Sequence, residues 1–357
     1  MRAGLVGDGR QRRLVTNIAA LKNDAEEGWA PSGCTLSKTH HAMTTHSHTI
    51  PDRSPPGSTR TAVHQDAFHQ DGGVKYTTGA SSKIRGRDNI TIGTWNTRTL
   101  RAAGKLQELT HELDRYRWNV LGLCKLRWTN FGKTTTEEGH KVFFNGKENN
   151  HEHGAGFLVH KDIVNTVMEC GQVSSRLITI RLRAVPFNIT IIQAYAPTSD
   201  YDDNEIEEFY DQLQNVIDQT PKKYILVVQG DWNAKVGWDA CGNWQGICGP
   251  FCNDDTNERG LRLLEFATFK DLVLANTFGH HKASRRWTWH SPNERHIQID
   301  YILVRKRFRS GVNIERARSF PGADIGSDHD WLMMTFRLRR KKSASQQTQD
   351  SSLTSKS

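Results

Sequence analysis

From Asn89 to Leu338 the chain keeps returning to one local pattern: a short apolar or alternating run that stops at a polar or turn-forming residue. Ile90-Thr91-Ile92-Gly93-Thr94-Trp95 alternates like a half-buried strand and stops at Asn96. Leu106, Leu109, Leu113 and Tyr116 recur at helical spacing and predict an amphipathic helix before the buried run Val120-Leu121-Gly122-Leu123. Residues 154–159, 177–182 and 187–195 read as strands, the last stopping at Ala196-Pro197. Ile206, Phe209, Tyr210, Leu213 and Ile217 mark a helix opened by Asp202, Asp203 and Asn204. Residues 224–228 form a strand running straight into Gly230-Asp231. Leu261, Leu264 and Leu272 predict another helix, and strands are expected over 273–276, 287–289, 297–304 and 331–338. Many strands with few helices bury their apolar faces only in layers. An α/β or α+β layered domain of about 250 residues follows.

The remainder of the 357 residues reads differently. Mean hydropathy is -0.65, low for a compact enzyme, so a polar segment dilutes the average. Residues 1–87 are rich in Ser, Thr, Gly, His, Asp and Arg and predict a disordered extension. The domain is expected over 88–340, followed by a basic and polar tail at 341–357. His40, His41, His46 and His48 could catch a metal weakly, but a solvated tail explains them better. Net charge is +9, which favours polyanions such as nucleic acid. No apolar run approaches the roughly 18 to 20 residues of a spanning helix, and no signal-peptide apolar region stands at the N-terminus. The six cysteines show no CxxC pair, which favours reduced thiols. Cys241, Cys248 and Cys252 lack an obvious fourth zinc ligand. An intracellular protein, nuclear or cytoplasmic and not secreted, is expected, with no membrane partner and no obligate protein partner.

The chemistry-bearing residues fall at predicted strand ends. Hydrolysis of a phosphodiester needs an activated water, positive charge against the phosphoryl oxygens and help for the leaving oxygen. Asp231 can orient and deprotonate water, and Asn233 can donate to a phosphate oxygen from the same turn. His329 can donate to phosphate or move a proton, with Asp300 holding its other ring nitrogen. Asn96 and Asp328 offer hard oxygens suited to magnesium, with manganese as an alternative. Tyr195 ends a strand and can donate its hydroxyl. Each residue alone is weak, since an Asp in a turn is usually structural. Their joint occurrence at successive strand ends is stronger. Trp287 and Trp289 flank Arg285, Arg286, His290 and Arg295, which suits either base stacking or core packing.

Four strings carry a family resemblance: Thr94-Trp95-Asn96-Thr97-Arg98-Thr99-Leu100, Gln193-Ala194-Tyr195-Ala196-Pro197-Thr198, residues 230–237 with Gly230-Asp231-Trp232-Asn233, and residues 322–329 ending Ser327-Asp328-His329. The chain resembles the endonuclease/exonuclease/phosphatase superfamily, and within it the endonucleases of non-LTR retrotransposons and the craniofacial development protein 2-like proteins. The resemblance implies a four-layered α/β sandwich of two packed mixed β-sheets flanked by helices. It implies a magnesium-dependent nick in DNA that leaves a 3'-hydroxyl, with RNA as an open alternative substrate. It implies Asp231, Asn233, Asp300, His329 and Tyr195 as catalytic residues and Asn96 and Asp328 at the metal. Arg98, Arg127 and Trp289 become candidates for nucleic-acid contact. Two other readings are a non-catalytic nucleic-acid-binding module and, less favoured, a phosphatase of the same superfamily.

One position departs from the pattern. In the family a metal-binding glutamate follows the equivalent of Leu123-Cys124; here Lys125 stands there, and no carboxylate lies between Trp118 and Thr136 to replace it. A unit-charge pair at about 4 Å is worth roughly 4 kcal/mol at an effective dielectric near 20. Exchanging carboxylate for ammonium opposite a divalent ion involves about four such terms, on the order of 16 kcal/mol before relaxation. Impaired metal binding and impaired activity are expected, which makes the chain a pseudoenzyme candidate. The Lys125 ammonium is expected to occupy the vacated seat and pair with Asp231 or Asp328.

Overall fold

The structure, a computed structural model, describes residues 75–85, 89–253 and 255–338. The chain divides into two units, residues 1–62 and 63–357, and every described residue lies in the second. Of the extension expected over 1–87, residues 1–74, with the histidine cluster, and 86–87 lie outside the described residues, as does the tail expected over 341–357.

Two seven-stranded mixed sheets carry the fold. The first holds β1 (Lys75–Thr77), β7 (Val167–Ser174), β8 (Leu177–Leu182), β9 (Ile189–Tyr195), β10 (Ile225–Asp231), β14 (Asp300–Arg305) and β11 (Leu272–Leu274) in that spatial order. The second holds β15 (Val312–Phe320), β16 (Trp331–Arg337), β2 (Asn89–Asn96), β3 (Val120–Cys124), β6 (Ala155–Val159), β5 (Lys141–Asn145) and β4 (Phe131–Thr135). A short separate hairpin pairs β12 (Trp289–His290) with β13 (His296–Ile297).

Three apolar clusters show the layering. Ile92, Val120, Phe157, Ile180, Ile191, Val227, Ile302 and Met334 meet between the sheets. Helix α1 (Lys105–Leu113) lays Leu109 and Leu113 against Trp95, Leu121, Leu123 and Trp331 on the outer face of the second sheet. Helices α2 (Asp203–Gln219) and α3 (Glu258–Phe269) cover the outer face of the first through Phe209, Leu213, Leu263 and Phe266. Helix, sheet, sheet and helices make the four layers that the resemblance implied. Asp202 caps α2 by accepting from the Glu205 N–H at 2.9 Å, as its sequence suggested.

The topology explains where chemistry collects. Each sheet contains one parallel pair, β2 with β3 and β9 with β10, and every other pairing is antiparallel. Helix α1 makes the crossover in one sheet and α2 in the other. A parallel pair puts two carboxyl ends at the same edge, the usual place for a ligand. Antiparallel β14 and β16 bring their amino ends to that edge. The carboxyl ends of β2, β3, β9 and β10 therefore meet the starts of β14 and β16.

Beneath that edge the sheets are stitched by polar side chains. Gln193 Nε2 donates to Thr94 Oγ1 at 2.8 Å, and Gln229 Nε2 donates to Gly93 O at 2.6 Å and to Gln193 Oε1 at 3.1 Å. Gly122 sits under this network, where a Cβ would overlap Gln193 Oε1 and crowd Gln229 Nε2. Gly230 has φ 154°, and a Cβ there would overlap the Ala194 carbonyl.

Several expectations are corrected. Within residues 75–85, assigned to the extension, Lys75–Thr77 form β1 at the edge of the first sheet beside β7, and Ile84 makes an isolated bridge to Ala184. The helix expected to run to Leu272 ends at Phe269, Leu261 is exposed, and Leu272 begins β11. The single strand expected over 297–304 is broken, because β13 belongs to the hairpin while β14 starts at Asp300. That break is what places Asp300 at a strand start.

Candidate active site

Asn96 ends β2, Asp231 ends β10, Asp300 opens β14 and His329 lies two residues before the start of β16. All four are buried: Asp231 is 0 % exposed, Asp300 1 % and His329 3 %. Polar groups so placed are costly unless paired, and here they are paired with one another. His329 Nδ1 lies 3.0 Å from Asp300 Oδ2, and its Nε2 lies 3.8 Å from Asp231 Oδ2. Asn96 Nδ2 donates to Asp231 Oδ2 at 2.7 Å and lies 3.2 Å from His329 Nε2. Ligand atoms of Asp231, Asp300 and His329 all fall within 4.8 Å of one another, so these three could hold a divalent metal.

The local chain fixes each group. The Asn233 N–H donates to Asp231 Oδ1 at 3.1 Å. Asn96 Oδ1 accepts from the Arg98 N–H at 3.1 Å. Ser327 Oγ donates to Asn96 O at 2.5 Å and accepts from the His329 N–H at 3.1 Å, tying the end of β2 to the segment that leads into β16. Trp95 Nε1 donates to His329 O at 2.8 Å, and the Thr288 hydroxyl accepts from the Asp300 N–H at 3.0 Å.

Electrostatics and hydrogen bonding pull His329 in two directions. Burial lowers its pKa, but Asp300 and Asp231 raise it, and the net direction is up. The amide nitrogen of Asn96 beside Nε2 instead matches the neutral ring with its proton on Nδ1, an assignment made from the hydrogen-bond pattern. Protonation at Nε2 requires the amide to give way. Burial, against the pull of His329, pushes Asp300 up to about 6. Burial and the Asp231 charge raise Tyr195 well above the usual phenol range, so its hydroxyl stays a donor.

The other expected residues take up less uniform positions. Asn233, at φ 47°, donates from Nδ2 to Ala196 O at 2.8 Å, so one of its amide hydrogens braces β9 and the other remains for a ligand. Asp328 stands beside the buried trio, accepting from Trp289 Nε1 at 3.1 Å, with Arg98 Nε 3.6 Å from its Oδ1. Arg98 and Trp289 therefore spend polar contacts on Asp328, while Arg127 is exposed. Trp287 stacks on His296 at 4.6 Å rather than entering the core. Cys241, Cys248 and Cys252 are free thiols, with Cys241 and Cys252 both directed at Gly249 O.

Lys125 does not behave as expected. It follows β3 at φ 56° and is half-buried, but it forms no ion pair with Asp231 or Asp328. Its Nζ lies 5.4 Å from the centre of the Tyr195 ring. A left-handed backbone turns the side chain toward that ring, and the cation–π contact replaces the expected salt link.

Sequence reasoning missed the surroundings of Tyr195. The Arg176 guanidinium lies 5.1 Å from the Tyr195 ring and 4.7 Å from the Tyr201 ring. His153 Nε2 is 3.1 Å from both Arg176 Nη2 and Tyr201 Oη. Burial and the Arg176 charge lower His153 to about 4, so it is neutral near pH 7. Arg176 sits in the turn between β7 and β8, where no sequence pattern distinguishes it from a solvated arginine.

Comparison with known proteins agrees with this geometry. The Endonuclease-reverse transcriptase family model matches residues 189–333, which include Tyr195, Asp231, Asp300 and His329 but not Asn96 or Lys125. Craniofacial development protein 2 from Bos taurus is 39% identical over 265 residues, which are 74% of this chain and 44% of that protein. The protein of that name from Tragulus javanicus is 39% identical over 262 residues, 73% of this chain and again 44% of its own length. The chain thus spans less than half the length of these curated relatives. AP endonuclease LMAP from Leishmania major superposes with a TM-score of 0.51 over 70% of this chain and 88% of its own, at 16% identity, a likeness of fold. Two packed mixed sheets, the convergent polar site and these similarities agree: the chain has the fold of the endonuclease/exonuclease/phosphatase superfamily and is similar to its Endonuclease-reverse transcriptase family over residues 189–333.

Proposed function

We propose that this chain is a retrotransposon-derived phosphodiesterase acting on DNA, with activity impaired by Lys125. The observation that carries the reading is the buried Asn96, Asp231, Asp300 and His329 group where both sheets end. The family's description as an endonuclease-reverse transcriptase supports the origin. An intracellular setting, nuclear or cytoplasmic, goes with such a substrate.

The chemistry assigns each group a task. Asp231, with one Oδ fixed by the Asn233 N–H and the other by Asn96, orients a water and accepts its proton. His329, held at Nδ1 by Asp300, donates from Nε2 to a phosphoryl oxygen once the Asn96 amide has given way and that nitrogen is protonated. The free amide hydrogen of Asn233 and the Tyr195 hydroxyl donate to the other oxygens as charge develops. Oxygen donors suit a hard cation, and Asp328 Oδ1 is a buried atom without a hydrogen-bond partner, whereas an ammonium at Lys125 offers no lone pair. Asn96 and Asp328 are the residues that would hold magnesium or manganese, whose charge would offset that of the phosphoryl oxygens.

Lys125 and Arg176 both lie against the Tyr195 ring, and this favours a second reading, a module that binds nucleic acid without cutting it. Supercoiled plasmid with magnesium separates the two. Nicking by the unmodified protein that disappears in Asp231→Ala supports the enzyme. Silence that Lys125→Glu converts into nicking supports an intact frame with a disabled metal seat. Silence in both, with retained DNA binding, favours the binding module.

A further inference from the structure

The β12–β13 hairpin carries a second group of imidazoles that the phosphodiesterase reading does not use. His290 and His296 are register partners across it, and their Nδ1 atoms approach to 2.6 Å. The rings stand at 74° with centroids 4.8 Å apart, so their edges face each other and their planes do not stack. Two neutral imidazoles with protons on Nε2 would point two lone pairs into this one gap. A shared proton or a shared cation resolves that contact.

The surroundings favour a cation. Asp330 Oδ2 lies 3.0 Å from His290 Nε2, and Asp330 is 6 % exposed. The contact is an ion pair without an aligned hydrogen bond, and a carboxylate beside the far nitrogen favours the proton there, leaving the near nitrogen as a ligand, the usual support for a metal-bound histidine. Trp287 lies over His296 at 4.6 Å and 24°, which fixes the second ring. Both histidines are half-exposed, leaving a solvent side for water ligands. At metal–nitrogen distances of about 2.0–2.1 Å, two imidazoles on one tetrahedral ion stand roughly 3.3 Å apart. The observed gap reaches that value if the rings open by less than about 1 Å.

We propose that His290 and His296 form a binding site for a late first-row divalent cation of the zinc, copper and nickel class, supported by Asp330. Imidazole pairs select such ions over magnesium, which prefers oxygen. The site is distinct from the buried trio and independent of the phosphodiesterase reading. Its position gives it a consequence: Trp289 bridges His329 in β fashion, and the His290 N–H donates to Asp328 O at 2.8 Å. An ion across the hairpin ties its two strands together beside the catalytic histidine.

The test is calorimetric titration of the full chain with Ni2+ and with Zn2+, in a background where His40, His41, His46 and His48 are alanine. Asp231→Asn is added to that background to disable the buried trio. One equivalent is expected to bind there, and His296→Asn is expected to weaken it by at least about tenfold, with a smaller loss in Asp330→Asn. Quenching of indole fluorescence by Cu2+ should fall in Trp287→Phe. Equal melting temperatures without metal show that the variants are folded; if His296→Asn is not, His290→Asn serves in its place. Unchanged affinity in the folded histidine variant, or no uptake below millimolar Ni2+, would overturn the proposal and leave a shared proton as the occupant.

Discussion

Asn96 Nδ2 stands between Asp231 and His329, 2.7 Å from the carboxylate oxygen and 3.2 Å from Nε2. One amide from the second sheet thereby spans an acid from the first and the imidazole that stands two residues ahead of β16. Asn96→Ala should strand a buried carboxylate oxygen and lower stability by about 1–3 kcal/mol. Freed of the amide, Nε2 should protonate more readily, so the His329 pKa should rise further. Urea denaturation and NMR titration of the ring check the two effects separately.

The Asp300–His329 pair should make stability fall as pH rises. His329 titrates above its ordinary value of 6.5, so its contribution is full below 6.5 and is lost through its higher folded value. Asp300, raised from 3.8 to about 6, favours its protonated form and has the same sign: full below 3.8 and lost through about 6. Denaturation midpoints measured from pH 5 to 9 should decline, and Asp300→Asn should flatten the slope. A midpoint that climbs over this range would contradict the assignment.

Gly122→Ala should be severe for so small a change. Its Cβ would overlap Gln193 Oε1 and disturb the amide network joining the sheets. A loss of about 2–4 kcal/mol is expected, from overpacking together with a broken buried hydrogen bond. Thermal and chemical melts measure it. Gly79→Ala, at an open position, is the control and should change little.

Lys125→Met should weaken DNA binding without rebuilding a metal ligand. If the ammonium meets a phosphate, the plot of log affinity against log salt should become shallower by about one unit. An unchanged slope would mean that Lys125 serves Tyr195 alone.

Much of the architecture was legible because buried strands are apolar or alternate, as β2, β3, β9 and β10 do, and because Asp202 caps its helix by recognisable chemistry. The unread strands have physical excuses. β15 is an edge strand whose central residues Asn313, Ile314, Glu315 and Arg316 are exposed, and β4 is another edge strand of mainly polar composition. β7 contains Gly171 and irregular pairing that blur its period. The convergence of Asn96, Asp231, Asp300 and His329 could be read from strand ends, since neighbouring ends share an edge. The resting place of Lys125 could not: it depends on a positive φ and a tyrosine from the other sheet. The His290–His296 contact likewise depends on hairpin register, which a six-residue separation alone leaves open.

The crossover pair in each sheet has a consequence for dividing the molecule. Residues through Val159 supply Asn96 and Lys125, whereas Tyr195, Asp231, Asp300 and His329 all come later. A cut in the short 3-10 turn Val164–Thr166, just before β7, would leave one fragment with the bridging amide and the other with the acids and imidazole. Neither fragment holds a complete reaction centre, so any chemistry this fold performs should reappear only when the two pieces reassemble. Co-expressed halves would then report their own association through the activity they restore.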